Sequence, residues 1–217
     1  MTSRPLVQRL RGLFVVADDN PAWRQGPLEQ ARAACAGGAA VVQLRAKRAT
    51  DRATLEMAAG IRRITRERGV LFFINDRFDL ALLAKAEGVH LGQDDVPPAC
   101  LPAEVRGRLL VGRSTHTLAQ ARAAGDESVD YVAFGPVFET RSKDSPNPPR
   151  GLAELEEAVQ SVAPRPVIAI GGIDLVRARS VVRTGAAGVA VIAAVAGADD
   201  PVAAVRALVH ELEKAVA

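Results

Sequence analysis

Several apolar runs of this 217-residue chain end in side chains suited to handling phosphate esters. Val41-Val42-Gln43-Leu44-Arg45 continues to Lys47. Leu71-Phe72-Phe73-Ile74 runs into Asn75 and Asp76, and Gly88-Val89-His90-Leu91-Gly92 runs into Gln93, Asp94 and Asp95. LLVGR (109–113) ends in Ser114, Thr115, His116 and Thr117, and YVAFGPV (131–137) leads to Thr140, Ser142 and Lys143. Arg45, Lys47 and Lys143 are cations, and a guanidinium can grip phosphate through two parallel hydrogen bonds. Asp76 and Asp95, from neighbouring strands, supply the two carboxylates that Mg²⁺ usually takes alongside phosphate oxygens and water. Adjacent residues of a strand face opposite ways, so only Asp95 of the acid pair need turn to an ion. By the same alternation Gln43, Arg45 and Lys47 share a face. Gly171-Gly172, before Ile173-Asp174 and a helix, offers bare backbone N–H groups to a phosphate, and Ile192-Ala193 offers more. His90, inside an apolar strand, is expected to be a core residue. His116 suits either a general base or a structural hydrogen bond, and Trp23 either packs over the site or caps the first loop.

Such residues act together only if the fold brings the run ends to one rim. Eight apolar, β-branched runs recur, at 13–18, 41–47, 71–76, 88–94, 109–115, 131–137, 166–172 and 188–194. Between most of them lie Ala/Leu/Glu/Arg-rich segments with helical spacing, such as TLEMAAGIRRITRERG and LAELEEAVQSVA. Strands apolar on both faces, alternating with helices, imply a parallel sheet covered by helices. Eight units predict an α/β fold, a single (β/α)₈ TIM barrel spanning 1–217, whose chemistry sits at the C-terminal ends of the strands. A doubly wound open sheet is the alternative, but the G-x-G-x-x-G fingerprint after the first strand is absent. The polar, proline-rich stretch 139–151 reads as a loop covering substrate rather than a domain boundary.

Composition narrows the partners. The chain is 48% hydrophobic and 24% charged with a net charge of +3, an ordinary soluble balance. Aromatics are 4% and the basic residues form no aromatic-interleaved stripe, which argues against nucleic acid. No window approaches the roughly 18 apolar residues of a membrane span, and Met1–Gly12 has no apolar signal core. Cys35 and Cys100 lack metal-ligand spacing, so a reducing cytoplasm is expected. Small-molecule phosphate esters are the expected partners, and the reading leaves room for a homodimer.

From Leu13 to about Ala198 the chain resembles the thiamine-phosphate synthase family, a (β/α)₈ fold. The motifs that carry the resemblance are Val42-Gln43-Leu44-Arg45-x-Lys47, Ile74-Asn75-Asp76, Gly88-Val89-His90-Leu91-Gly92-Gln93-Asp94-Asp95 and Ser114-Thr115-His116-Thr117. They continue with Asp130-Tyr131-Val132, Gly135-Pro136-Val137-Phe138-x-Thr140-x-Ser142-Lys143 and Ile170-Gly171-Gly172-Ile173. The resemblance implies that 4-amino-5-hydroxymethyl-2-methylpyrimidine diphosphate loses pyrophosphate. The thiazole nitrogen of 4-methyl-5-(2-phosphoethyl)thiazole, or of its carboxylate, then captures the carbon. It further implies that Gln43, Arg45, Lys47, Asn75, Ser114 and Lys143 hold the pyrimidine diphosphate, with Arg45, Lys47 and Lys143 catalytic. Asp76 and Asp95 would bind Mg²⁺. Thr140, Ser142, Gly172, Ile192 and Ala193 would hold the thiazole phosphate.

The chain departs from the family pattern at Ala46, Ser142 and Ala193, where the family often has Glu, Thr and Ser. Ala193 therefore offers only its backbone. The run around Phe138–Lys143, with His116, also resembles a sister family of thiazole tautomerases. Those relatives tend to lack the Gln-x-Arg-x-Lys and Gly-Gln-x-Asp patterns retained here. A sugar-phosphate aldolase, which needs a Schiff-base lysine such as Lys47, and a ligand-binding barrel without turnover are the remaining alternatives.

Overall fold

The computed structural model describes residues 4–140, 142 and 147–216. Eight parallel strands close on themselves in chain order: β1 (Gly12–Asp18), β2 (Val41–Arg45), β3 (Leu71–Asn75), β4 (Gly88–Leu91), β5 (Leu110–Thr115), β6 (Tyr131–Phe134), β7 (Val167–Ile170) and β8 (Gly188–Val191). The ring closes through β1 and β8, with Phe14 opposite Ala190. The helices are α1 (Arg4–Val7), α2 (Pro27–Gly37), α3 (Asp51–Arg68), α4 (Phe78–Leu83), α5 (Ala103–Arg106), α6 (Leu118–Asp126), α7 (Gly151–Val162), α8 (Leu175–Val182), α9 (Ala193–Ala196) and α10 (Pro201–Val216). The expected TIM barrel is therefore the observed one. No helix among the described residues is long and apolar enough to cross a membrane.

Because each strand is covered on both faces, its two side-chain sets enter two cores. Val42, Leu44, Phe72, Ile74, Val89 and Leu91 face the helices. Phe14, Val16, Val41, Leu71, Phe73, Tyr131 and Ile168 fill the barrel, and Leu10, just after α1, joins that inner cluster. Glycine makes room for the large rings. A Cβ at Gly88 would lie 2.2 Å from the Phe73 ring, and one at Gly112 would lie 2.2 Å from that of Tyr131. Cys35 is buried on α2 as a small core residue, and burial pushes its thiol up to about 11.

Above the aromatic layer the inner face becomes polar, but only on one side. Gln43, two residues beyond Val41, and Asn75, two beyond Phe73, join through Gln43 Nε2 to Asn75 Oδ1 at 2.7 Å. His90, paired in register with Asn75 and Gly112, stacks on Tyr131. Its Nδ1 lies 2.8 Å from the Tyr131 hydroxyl and its Nε2 2.8 Å from Ser114 Oγ. Burial, with the Asp130 charge adding to it, raises the Tyr131 phenol well above its ordinary range, so the hydroxyl stays protonated. The core histidine expected from sequence is thus a structural link between β4, β5 and β6.

Candidate active site

The β2–β4 side of the mouth carries Arg45, Lys47, Asp76 and Asp95. β2 stops at Arg45, so Lys47 lies in the following loop and not on the strand face with Gln43 and Arg45. A different device positions it. The Asp19 carboxylate accepts hydrogen bonds from the backbone N–H groups of Lys47, Arg48 and Ala49 at 3.0, 2.8 and 2.9 Å. This clamp turns the loop so that Lys47 Nζ ion-pairs with Asp76 Oδ2.

Asp76 follows β3 with a φ of 66°. A non-glycine residue in the left-handed region is uncommon, and Asp is among the few that tolerate it. Its N–H donates to His90 O at 2.7 Å, and Arg77 next to it forks onto Asp51 and Asp79. Asp95 lies in the turn after β4, not on the strand, so strand alternation does not decide which acid of the pair faces the site. The selection comes from the turn itself: Gly92 N donates to Asp95 Oδ2 at 2.6 Å, while Asp94 is exposed.

The Asp76 and Asp95 carboxyls interact, and their pKa values are pushed in opposite directions. Burial works to raise Asp76, but the bonds from Asp95 and Lys47 and the Lys47 charge outweigh it, and this carboxyl falls below its usual range. Burial, then the bond to and charge of Asp76, push Asp95 up against the opposing Gly92 N–H. Two adjacent carboxyls could supply two of the oxygen ligands that a hard divalent cation takes. No group of three or more His, Cys, Asp or Glu that could hold a metal ion occurs among the described residues.

Across the mouth, β6–β8 and the β1–α2 loop enclose a cavity of about 680 Å³. Thr140, Ser142, Gly172, Ile192 and Ala193 all line it, as do Trp23, Glu139 and Arg177. Its floor depends on two glycines with φ of 101° and 63°, Gly171 and Gly172. A Cβ at Gly172 would come within 2.4 Å of Glu139 O, so only glycine lets the β7–α8 turn meet the segment after β6 this closely. Phe138 N donates to Gly171 O, and Ser142 N donates to Thr140 Oγ1. The ends of the 139–149 excursion are brought together by Arg150 N to Pro136 O and Gly151 N to Val137 O. Ala193 and Ala194 precede the first backbone bond of α9, which Val195 N makes to Ile192 O, so the helix leaves their N–H groups unpaired.

The expected site residues therefore gather at one rim as two groups. Gln43, Arg45, Lys47, Asn75, Asp76, Asp95 and Ser114 stand on the β2–β5 side, and Thr140, Ser142, Gly172, Ile192 and Ala193 in the cavity. Lys143 lies outside the described residues. His116 Nδ1 is 2.7 Å from Gly135 O and its backbone N–H donates to Gln120, which ties it to the scaffold. Sequence reasoning passed over Asp18, the last residue of β1. It is buried, and its carboxylate accepts from Arg45 NH1 at 2.5 Å, Trp23 Nε1 at 2.8 Å and Asn20 N at 3.0 Å. The signal was present, since Asp18 ends an apolar run as Asp76 does.

Comparison with known proteins identifies the family. The family model described as thiamine monophosphate synthase matches residues 13–195. A thiamine-phosphate synthase of Anaeromyxobacter dehalogenans is 50% identical over 90% of this chain and 85% of its own length. One from Thermus thermophilus is 43% identical over 92% of this chain and 96% of its own. The solved thiamine phosphate pyrophosphorylase of Pyrococcus furiosus superposes with a TM-score of 0.87 at 37% identity, covering 98% of this chain and all of that one. The orotidine 5'-phosphate decarboxylase of Pyrococcus horikoshii, at 15% identity and a TM-score of 0.65, shares the fold alone. The chain thus belongs to the thiamine monophosphate synthase family.

Proposed function

We propose that residues 1–217 form one barrel domain that makes thiamine phosphate. It would join 4-amino-5-hydroxymethyl-2-methylpyrimidine diphosphate to 4-methyl-5-(2-phosphoethyl)thiazole, or its carboxylate, with release of pyrophosphate. The observation that carries this reading, beside family membership, is the division of the mouth. Cations and paired carboxylates stand on the β2–β4 side, and a cavity with glycine turns, hydroxyls and unpaired backbone N–H groups faces them. That division suits one substrate that must lose a diphosphate and another that carries a phosphate monoester.

Gln43, Asn75 and Ser114 would orient the pyrimidine from the polar layer of the barrel. Arg45 would place its remaining N–H donors on the diphosphate, and Lys47 would turn to it from Asp76, with Lys143 as the third cation. Asp76 and Asp95 fit Mg²⁺, an oxygen-seeking ion that would neutralise charge on the departing diphosphate. The pyrimidine amino group can feed electrons toward the methylene carbon as its C–O bond breaks. The carbon then bonds to the thiazole nitrogen, and the electron pair of the broken bond leaves with pyrophosphate. No protein nucleophile is required: charge stabilisation and the alignment of two bound reactants supply the acceleration. Thr140 and Ser142 hydroxyls, with backbone at Gly172, Ile192 and Ala193, would hold the thiazole phosphate.

The test is pyrophosphate release on mixing both substrates with Mg²⁺, with none from either substrate alone. Asp95→Ala and Lys143→Ala should each cut turnover strongly while circular dichroism stays that of the parent barrel. Normal turnover in either folded variant rejects the site assignment. The same sample offered only the thiazole carboxylate phosphate should leave it unisomerised; isomerisation without coupling would favour the tautomerase reading.

A further inference from the structure

We infer that Asp18 is a positioning residue that couples the two substrate half-sites. The inference rests on the function proposed above. The Asp18 side chain has no exposed surface, and each of its oxygens serves one half of the mouth. Oδ2 accepts from Arg45 NH1 at 2.5 Å. Oδ1 accepts from Trp23 Nε1 at 2.8 Å and from Asn20 N at 3.0 Å. Trp23 and Asn20 both line the cavity on the far side.

The Asp18 backbone is itself held from behind. Gln30, fully buried on α2, accepts from Asp18 N at 2.9 Å and donates to Asp18 O at 3.0 Å and to Gln25 O at 2.7 Å. Asp18 therefore cannot follow Arg45 or Trp23 by moving its backbone. A diphosphate drawn to Arg45 must share that guanidinium with Asp18, which weakens the Arg45–Asp18 pair and leaves the carboxylate freer to hold the indole and the Asn20 turn. Arg45 has five N–H donors, and Asp18 engages one nitrogen, so the guanidinium can bind both anions at once.

Coupling through a shared group is reciprocal: whatever factor one ligand imposes on the other's affinity is returned. Binding of pyrophosphate with Mg²⁺ should therefore change thiazole phosphate affinity by about fivefold or more, the lower end of ordinary site-to-site coupling. Because Trp23 is the only tryptophan, the same event should change the protein's tryptophan emission.

The experiment is calorimetric titration of the full chain with thiazole phosphate, with and without saturating Mg²⁺ and pyrophosphate, in the parent and in Asp18→Asn. Asn keeps the shape but cannot accept at both positions, so the coupling factor should fall toward one and the pyrophosphate-induced emission change should vanish. Trp23→Phe, which removes the indole N–H and leaves Arg45 and Asp18 in place, should lower the coupling factor while pyrophosphate affinity stays within about twofold. It carries the test if Asp18→Asn does not fold. An unchanged coupling factor in a folded Asp18→Asn or Trp23→Phe protein overturns the inference. A parent protein that binds neither ligand overturns the proposed function instead.

Discussion

Two interacting carboxyl groups cannot both behave as ordinary acids. Against the cost of burial, the neighbouring Asp95 and Lys47 hold Asp76 below its usual range, while burial and the Asp76 charge push Asp95 above its own. Under the proposed function, Mg²⁺ would have to displace a proton from Asp95 in order to use both oxygens. The sign follows from the raised value of Asp95: above it both groups are ionised and open to a metal, and below it proton and metal would compete. The Mg²⁺ concentration for half-maximal turnover should therefore be flat around neutrality. It should rise as pH falls through the Asp95 pKa, by about tenfold per unit, the slope of one displaced proton. Asp95→Asn should weaken Mg²⁺ by at least about tenfold, since even outer partners of a metal ligand are worth that much, and should abolish the slope. Mg²⁺ titrations of the initial rate at several pH values check both outcomes, and a requirement that does not change with pH would remove Asp95 from the metal site.

Strands and helices hold these groups by means that differ in how plainly they show in a sequence. The eight strands were legible because each is apolar on both faces, and the sheet they form has no solvent face to interrupt the run. Their ends were less so: Lys47 and Asp95 were expected on β2 and β4 but lie in loops. Lys47 is placed by Asp19, 28 residues earlier, and no local pattern announces a carboxylate that caps a distant loop. Asp18 ends an apolar run as Asp76 does, but its partners Trp23, Gln30 and Arg45 meet it only once the β1–α2–β2 unit folds. Gly112 is the reverse case, a glycine whose purpose emerges only in cross-section. A methyl group there would lie 2.2 Å from Tyr131 Cζ, and that ring supports His90 and, through it, Ser114. Gly112→Ala should cost about 1–3 kcal/mol, the usual penalty of overpacking. It should also lower turnover by displacing Ser114. Thermal unfolding and steady-state kinetics on one preparation test the pair of effects together, and a variant as stable and active as the parent would show that the aromatic layer is loose.

For the molecule as a whole, closure matters more than any one element. Each strand is hydrogen-bonded to two neighbours and β8 returns to β1, so the sheet has no edge from which to fray. A ligand tied to several strands on either side of the mouth then stabilises the entire ring. The two half-sites should do so with different requirements. Under the proposed function, pyrophosphate would depend on Asp76, Asp95 and the ion they share, whereas thiazole phosphate would depend on hydroxyls and backbone N–H groups that need no ion. A ligand present at 100 times its dissociation constant adds about 2.7 kcal/mol to the folded state. For a chain of this size that corresponds to a rise in Tm of roughly 5–11 °C. Mg²⁺ with pyrophosphate, and thiazole phosphate alone, should each produce a rise of that order. Addition of a chelator should erase the first and leave the second. Loss of both on chelation would place the ion between the half-sites rather than on the β3–β4 side, and survival of both would mean that the cations alone hold pyrophosphate.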